Sequence, residues 1–218
     1  KSDDINGDGI ISTSEMTEKG YPVQSFTTVY PGDVKYVDLT GENIIDANDR
    51  KAIGYSTTAP DIYYNFHLGA EYKGIGLDAM FQGVGRWTGF MTTNGLYRSA
   101  VATNTLSQYL YENSWSAERG NTECALFPRL STTSNANNDL NSTLNMFDRS
   151  YIKLRYVELY YHLPKSLLNK LSVINNVKLY VRGTDLFTAD HLDKADAASY
   201  GVAQPLTRSV QLGAALTF

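Results

Sequence analysis

Two acidic segments near the start of the chain carry residue types and spacings that could bind a metal ion. The first begins at Asp4 and ends at Glu15, and it follows the pattern Asp-x-Asn-x-Asp-Gly with a glutamate closing the loop. Calcium takes about six to eight oxygen ligands, and this spacing can wrap them around one ion. The alternative is a solvated turn rich in Asn, Asp and Gly. The predicted ligands are Asp4, Asn6, Asp8, the carbonyl of Ile10, Ser12 through water, and both carboxylate oxygens of Glu15.

The second acidic segment is a degenerate copy of the first. Thr40 and Glu42 stand where Asn and Asp are usual, and Asp49 closes the loop in place of a glutamate. A calcium site and a purely structural turn both remain open for this segment. Its possible ligands are Asp38, Thr40, Glu42, Ile44, Asp46 and Asp49.

Other chemistry has little support in the sequence, and we expect no enzyme. None of the histidines His67, His162 and His191 has a metal-type partner one helical turn away, and Cys124 is the single cysteine. No Gly-x-Ser-x-Gly nucleophile motif occurs. The formal net charge of −4 argues against a nucleic-acid partner, for which a basic surface is expected.

The elements that must position these loops are β-strands, so the predicted fold class is all-β. Alternation of apolar with polar or small residues is the period-two signature of a strand. No apolar run reaches the roughly 18 residues of a membrane helix, so a chain of this kind that spans a membrane must do so as a closed antiparallel barrel. The predicted strands are 62–72, 75–85, 150–163, 176–187 and 207–218.

The last predicted strand has an apolar face that ends on an aromatic residue. Leu212, Leu216 and Phe218 lie on this face, which suits contact with outer-membrane lipid. The pattern resembles the C-terminal strand signal by which outer-membrane barrels are recognised and assembled. The connections also alternate in length, with short ones at 73–74 and 164–175 and long outer loops at 86–148 and 188–206. Because outer-membrane barrels have short periplasmic turns and long extracellular loops, residues 1–60 are predicted to be an extracellular loop region and residues 61–218 barrel strands with their outer loops.

An ordered string of short motifs resembles the SusC/RagA class of TonB-dependent outer-membrane transporters. This string covers nearly the whole chain from Tyr30 onward. One departure is Asp185, at a position where the family usually has Asn. The motifs are Pro31-Gly-Asp-Val-Lys-Tyr36, Ile45-Asp-Ala-Asn-Asp-Arg-Lys-Ala-Ile-Gly54, Ala59-Pro60, Phe81-Gln-Gly-Val-Gly85, Phe127-Pro-Arg-Leu130, Ser150-Tyr-Ile-Lys-Leu-Arg155, Tyr161-His-Leu-Pro164, Asp185-Leu-Phe187 and Leu216-Thr-Phe218.

The resemblance implies a 22-stranded transmembrane barrel of which these strands form the C-terminal part. The chain is expected to be a piece of a longer protein that is cut at Lys1. The plug and the TonB-contacting segment would then lie upstream of Lys1. A SusD-like surface lipoprotein would act as a lid, and oligosaccharides or peptides would be imported through the outer membrane of a Gram-negative bacterium. Aromatic residues of the outer loops, Trp87, Tyr97 and Trp115, are candidate substrate contacts. The alternatives are packing within the loop and anchoring at the membrane interface.

A second class of protein also fits part of the pattern. A soluble, calcium-stabilised β-sandwich that binds glycans would have the same strands and acidic loops. Its apolar strand faces would be buried against each other instead of facing lipid.

Overall fold

The computed structural model describes residues 3–92, 98, 106–123, 125–168, 173–192 and 206–218. The chain divides into two compact units, which we call the loop unit (Lys1–Ile53 with Phe90–Met146) and the sheet unit (Gly54–Gly89 with Phe147–Phe218). The elements are mostly antiparallel strands with a few short helices, so the all-β prediction is confirmed. Within the described residues, no helix has the length and apolar character needed to cross a membrane.

The sheet unit is built on five antiparallel strands. The strands are β1 (Ile62–Tyr72), β2 (Ile75–Gly85), β5 (Tyr151–His162), β6 (Asn176–Asp190) and β7 (Ser209–Thr217). Their order in the sheet is β1-β2-β5-β6-β7, so each long strand pairs with the next one along the chain. Two short strands, β3 (Thr88–Phe90) and β4 (Met146–Asp148), form a separate pair.

The turn between β1 and β2 fixes the register of the first hairpin. Lys73 and Gly74 have φ angles of 50° and 82°, as a two-residue type I′ hairpin turn requires. Tyr72 therefore pairs with Ile75, and the ladder continues without a break to Ile62 opposite Gly85.

Several boundaries differ from those predicted from the sequence. The fourth long strand continues to Asp190 instead of ending at 187, and the last begins at Ser209 instead of 207. The predicted loop 86–148 contains two strands that the sequence did not predict, β3 and β4. Its short helix α2 (Gln108–Asn113) agrees with the helical spacing of Leu106, Tyr109, Leu110 and Asn113 in the sequence. Strands of three residues are too short to show alternation in the sequence. The extension of β6 does not show as simple alternation because the pairing of β6 with β5 is irregular.

That irregularity is a bulge on β5 that interrupts its pairing with both β2 and β6. The register between β5 and its two neighbours shifts on either side of Arg155, and Asp185 has a φ of 51°. Such left-handed backbone is tolerated by Asn and Asp better than by most residues. The shift changes which residues share a face, so simple alternation fails beyond this point.

The two faces of the five-stranded sheet differ in chemistry. Ala70, Leu77, Leu159, Val181 and Leu212 are successive partners across all five strands and form one apolar row. The row beside it on the other face contains Asp78, Glu158, Arg182 and Gln211. One face is therefore apolar and the other polar across the width of the sheet.

The loop unit contains short elements held by caps and bridges. Helix α1 (Thr13–Glu18) begins with a capping box formed by Ser12 and Glu15, and the Ser107 hydroxyl caps α2. Its buried apolar side chains, Met16, Val29, Ile45 and Leu110, are few, so polar contacts must contribute much of its order.

A β-sandwich would need a second large sheet over the apolar face. Among the described residues, the other sheet consists only of the three-residue strands β3 and β4. Leu212 on the apolar face is 81% exposed. This arrangement disfavours the sandwich.

Candidate functional site

The apolar face presents large side chains that the described part of the chain leaves uncovered. Leu68, Leu77 and Leu159 are 59%, 50% and 53% exposed, respectively. Leu216 and Phe218, predicted with Leu212 to form an assembly signal, are also exposed, and Phe218 lies one residue beyond the end of β7. Exposed apolar surface on this scale marks contact with a membrane or a partner.

The opposite face is organised around a buried carboxylate, that of Glu158. The Glu158 side chain is 3% exposed, and its two oxygens lie 2.6 Å from Lys178 Nζ and 2.6 Å from Arg182 Nη2. Arg182 Nε also donates to the same carboxylate at 2.7 Å. Because all of its partners come from β6, this carboxylate ties the polar side chains of β5 and β6 together.

Two further polar pairs lie towards the β1 edge. His67 Nε2 is 2.8 Å from Asp78 Oδ2 across the hairpin, and the Tyr160 hydroxyl donates to Glu71 at 3.1 Å. The Tyr160 ring occupies the space above Gly76, where a Cβ atom would lie only 2.0 Å from the ring. Glycine is thus required at position 76 for the aromatic ring to cross the strand.

The bulge adds an ion pair that the sequence did not predict. Arg155 Nη1 lies 2.8 Å from Asp185 Oδ1, and the Asp185 side chain is 10% exposed. Arg155 also lines a small polar cavity of about 400 Å³ with Asn65, Tyr156 and Arg182. Asp185, at a position where the family usually has Asn, therefore supplies a charge partner for Arg155.

The first acidic loop is held by hydrogen bonds between its own side chains and backbone. Asp4 accepts from the amides of Gly7 and Gly9 at 2.8 and 3.0 Å, and Asp8 Oδ1 accepts from the amide of Ile10 at 2.8 Å. Asn6 Oδ1 accepts from the amide of Asp8 at 2.9 Å. These bonds curl the loop so that its side-chain oxygens are turned towards its own backbone.

Glu15, however, is directed to protein donors. Its carboxylate accepts from the hydroxyl and amide of Ser12 at 2.6 and 2.8 Å, and from the amides of Ile5 and Asn6. These hydrogen bonds, that of the Ser12 hydroxyl foremost, lower the pKa of Glu15 from its ordinary value of 4.5 to about 2. Bidentate calcium binding would require Glu15 to exchange these donors for the ion.

The second acidic loop follows the same plan. Asp38 accepts from the amides of Gly41, Thr40 and Asn43, and Asp49 accepts from those of Leu39, Thr40 and Asp46. The amide of Gly41 above all lowers the pKa of Asp38, and the amide of Asp46 above all lowers that of Asp49. Ile44, a possible ligand, is also part of a short parallel bridge with Val23, whose hydrogen bonds use the carbonyl of Asn43 and the amide of Ile45. Among the described residues, no three His, Cys, Asp or Glu side chains converge as a metal site requires, so calcium at either loop stays a prediction.

A buried polar cluster of the loop unit is centred on Asp33, and we call it the Asp33 cluster. The Asp33 side chain is fully buried, and its Oδ1 accepts from Arg129 Nε at 2.7 Å, Asn135 Nδ2 at 3.0 Å and Asn138 Nδ2 at 2.8 Å. The amide of Tyr30 donates to Oδ2 at 3.0 Å. Asp33 and Arg129 both lie in sequence motifs, but their contact was not predicted because they are 96 residues apart.

A second buried amide extends this cluster. Asn137 is fully buried, accepts from Gln24 Nε2 at 2.8 Å and donates to the carbonyl of Val34 at 2.7 Å. The Tyr36 hydroxyl donates to the carbonyl of Asn137 at 2.6 Å, and burial raises the pKa of Tyr36 to about 12. Residues 24–36 and 129–138 are thereby joined along their length.

The three aromatic candidates have different surroundings. The guanidinium of Arg149 lies 3.5 Å from the Trp87 ring centre, so that one face of this ring is covered within the sheet unit. The Trp115 ring packs on Gly32, where a Cβ atom would lie 2.3 Å from it, and lines a cavity of about 1590 Å³ within the loop unit. Phe26, Tyr36 and Phe127 line the same cavity. Tyr97 lies outside the described residues.

Comparison with known proteins gives related sequences and folds. The chain is 30% identical over 167 residues to TonB-dependent receptor P3 of Formosa agariphila, a match that covers 76% of this chain and 15% of that receptor. No family model matches the chain.

Solved structures of the RagAB peptide transporter have the same fold. One gives a TM-score of 0.61 at 25% identity, covering 86% of this chain and 20% of the solved chain. The RagAB peptide importer in its "open-open" state gives a TM-score of 0.61 at 24% identity, with 84% and 20% coverage.

The described fold is an antiparallel sheet with one apolar and one polar face, the class of sheet that also forms the walls of outer-membrane proteins. The chain belongs to the SusC/RagA class of TonB-dependent receptors. It spans about a fifth or less of the length of these relatives.

Proposed function

We propose that this chain forms part of the membrane-spanning wall and the outer loops of an importer in the outer membrane of a Gram-negative bacterium. The observation that carries the proposal is the continuous apolar face across all five long strands, opposite a face of paired charges. A sheet of this kind is stable with lipid on one side and a wet lumen on the other.

Tyrosines at the two ends of the apolar face support this proposal. Tyr64 lies towards one end, and Tyr72 and Tyr161 lie towards the other, in a row that passes through Ile75. Eight residues separate Tyr64 from Tyr72, which is about 26 Å along a strand and about 20 Å along the membrane normal at a tilt of ~40°. This is close to the apolar band of about 25 Å that aromatic girdles flank in such barrels.

Completion of the barrel requires further strands. β1 and β7 are the two edges of the sheet, and each pairs on one side only among the described residues. Unpaired strand edges are not tolerated in lipid, so other strands of the same receptor must cover them. A 22-stranded barrel, closed by β7 against its first strand, is the arrangement we propose.

The proposed cargo and partners follow from the relatives. RagAB is a peptide importer, which supports peptides among the two candidate cargoes, oligosaccharides and peptides. A SusD-like lipoprotein, a plug within the barrel and TonB complete the proposed assembly. Trp115 and its cavity are the proposed cargo contact of the loop unit, whereas the covered ring of Trp87 is a weaker candidate.

Calcium at the first acidic loop is part of the proposal. Asp4, Asn6 and Asp8 already curl the loop, and the ion would gain both oxygens of Glu15. The role is structural stiffening of an outer loop. Direct calcium titration of the full-length receptor and of its Asp8→Asn variant tests this role, and equal absence of binding in both would reject it.

The experiment that tests the importer function is purification of the full-length receptor from its source membrane in mild detergent. Native mass spectrometry then identifies every chain and any co-purified ligand. A complex of the receptor with a surface lipoprotein and a bound peptide or oligosaccharide is the expected result. A single monodisperse protein that stays soluble without detergent would contradict the proposal.

A further inference from the structure

A small cleft lies where the two short turns of the sheet unit meet. It has a volume of about 420 Å³ and is lined by the β1–β2 turn and by the connection between β5 and β6. The amide of His162 donates to the carbonyl of Gly74 at 2.7 Å, so the hairpin turn is fixed against the end of β5. We call this the short-turn cleft; Lys73, Gly74, His162, Lys165, Asn175 and Asn176 are among its lining residues.

The charges of the short-turn cleft are of one sign. Lys73 and Lys165 both line it, and no Asp or Glu does so among the residues that the structure describes. Within the described part of the chain, neither lysine forms an ion pair, whereas the charged groups of the polar face are paired with one another. The sequence from 161 to 176 contains no acidic residue. The cleft therefore offers two ammonium groups to an external anion.

The surface around these lysines is also apolar. Leu167 and Val173, in the connection that carries Lys165, are 53% and 68% exposed. Tyr161 lines the cleft, and Lys73 Nζ lies 5.2 Å from the ring centre of Tyr72. Exposed aliphatic residues, tyrosines and lysines together are the composition of a membrane–water interface, where lysine side chains reach the headgroups.

We infer that the short-turn cleft binds the phosphate of an anionic phospholipid headgroup in the leaflet at this end of the sheet. The inference rests on the proposed membrane-spanning function, because the cleft meets lipid only if the apolar face does. The two lysines neutralise the phosphate while Leu167 and Val173 contact the upper acyl chains. Basic pockets at membrane boundaries bind anionic headgroups by this combination of contacts.

The test uses the full-length receptor reconstituted with equal amounts of phosphatidylglycerol and phosphatidylcholine. Native mass spectrometry counts the lipids retained after transfer to detergent, for the wild type and for the double variant Lys73→Gln, Lys165→Gln. The control variant, Lys51→Gln with Arg208→Gln, removes the same charge from exposed positions that do not line the cleft. Resistance of the folded receptor to SDS without heating reports barrel formation separately.

The wild type and the control are expected to retain more phosphatidylglycerol than phosphatidylcholine. The double variant should bind phosphatidylglycerol about 30-fold more weakly, which is about 2 kcal/mol, with an unchanged barrel. Equal retention by the double variant and the control, with the barrel intact, would overturn the lipid site and leave the importer proposal standing. A receptor that forms no SDS-resistant barrel in lipid would overturn both.

Discussion

The Asp33 cluster allows the sharpest prediction about the loop unit. Replacing Asp33 by Asn removes a buried negative charge that four donors share, from Arg129, Asn135, Asn138 and the amide of Tyr30. The new amide nitrogen would also face at least one of these donors. Breaking a buried ion pair costs about 3–5 kcal/mol, and the partial exposure of Arg129, 24%, points to the lower end.

We therefore expect Asp33→Asn to destabilise this cluster locally by about 3 kcal/mol. This corresponds to a roughly 100-fold increase in the equilibrium constant for local opening. Hydrogen–deuterium exchange of the full-length receptor measures this opening at residues 30–38 and 129–139. Asp61→Asn, an exposed position in the sheet unit, is the matched control. Unchanged exchange at both segments in Asp33→Asn would refute the argument that the buried carboxylate holds them together.

Three further outcomes are expected of the full-length receptor. Leu212→Arg should reduce the stability of the folded barrel in lipid by about 2–4 kcal/mol, whereas Gln211→Arg on the polar face should be nearly neutral. Urea titrations measure both effects, and equal effects would contradict the assignment of the two faces. Phe218→Ser should lower the amount of receptor in outer-membrane fractions, and unchanged levels would remove its proposed role in assembly. Because the pKa of Glu15 is lowered to about 2, its stabilising bonds to the loop are complete above its ordinary pKa of 4.5 and are lost as the pH falls towards 2. Amide exchange at residues 5 and 6, corrected for intrinsic rates, should accelerate over this range in the wild type and not in Glu15→Gln.

The first hairpin shows what local sequence can predict. Alternation predicts strands at 62–72 and 75–85, and the structure has β1 and β2 over the same residues. The reason is that a two-residue turn containing glycine sets the register, and nothing interrupts the ladder. Side-chain alternation is sufficient to predict the strand bounds where the pairing between strands is regular.

The bulge and the Asp33 cluster show where local sequence is insufficient. The irregularity at Arg155 depends on the backbone conformation of Asp185 on the next strand, and the two residues are 30 positions apart. Asp33 meets its partners from about 100 positions away. Contacts between distant segments leave no periodic signal, although the motifs at Asp33 and Arg129 did mark residues that the structure brings together.

The central claim is that the five-stranded sheet separates lipid from a polar lumen, and a cysteine scan of β7 tests it most directly. Each residue from Ser209 to Thr217 would be replaced by Cys in turn, in a Cys124→Ser background of the full-length receptor in liposomes. A fluorophore on each cysteine would report quenching by brominated lipid. We predict quenching at positions 210, 212, 214 and 216 and little at 211, 213 and 215. Uniform quenching, or none along the strand, would contradict the account.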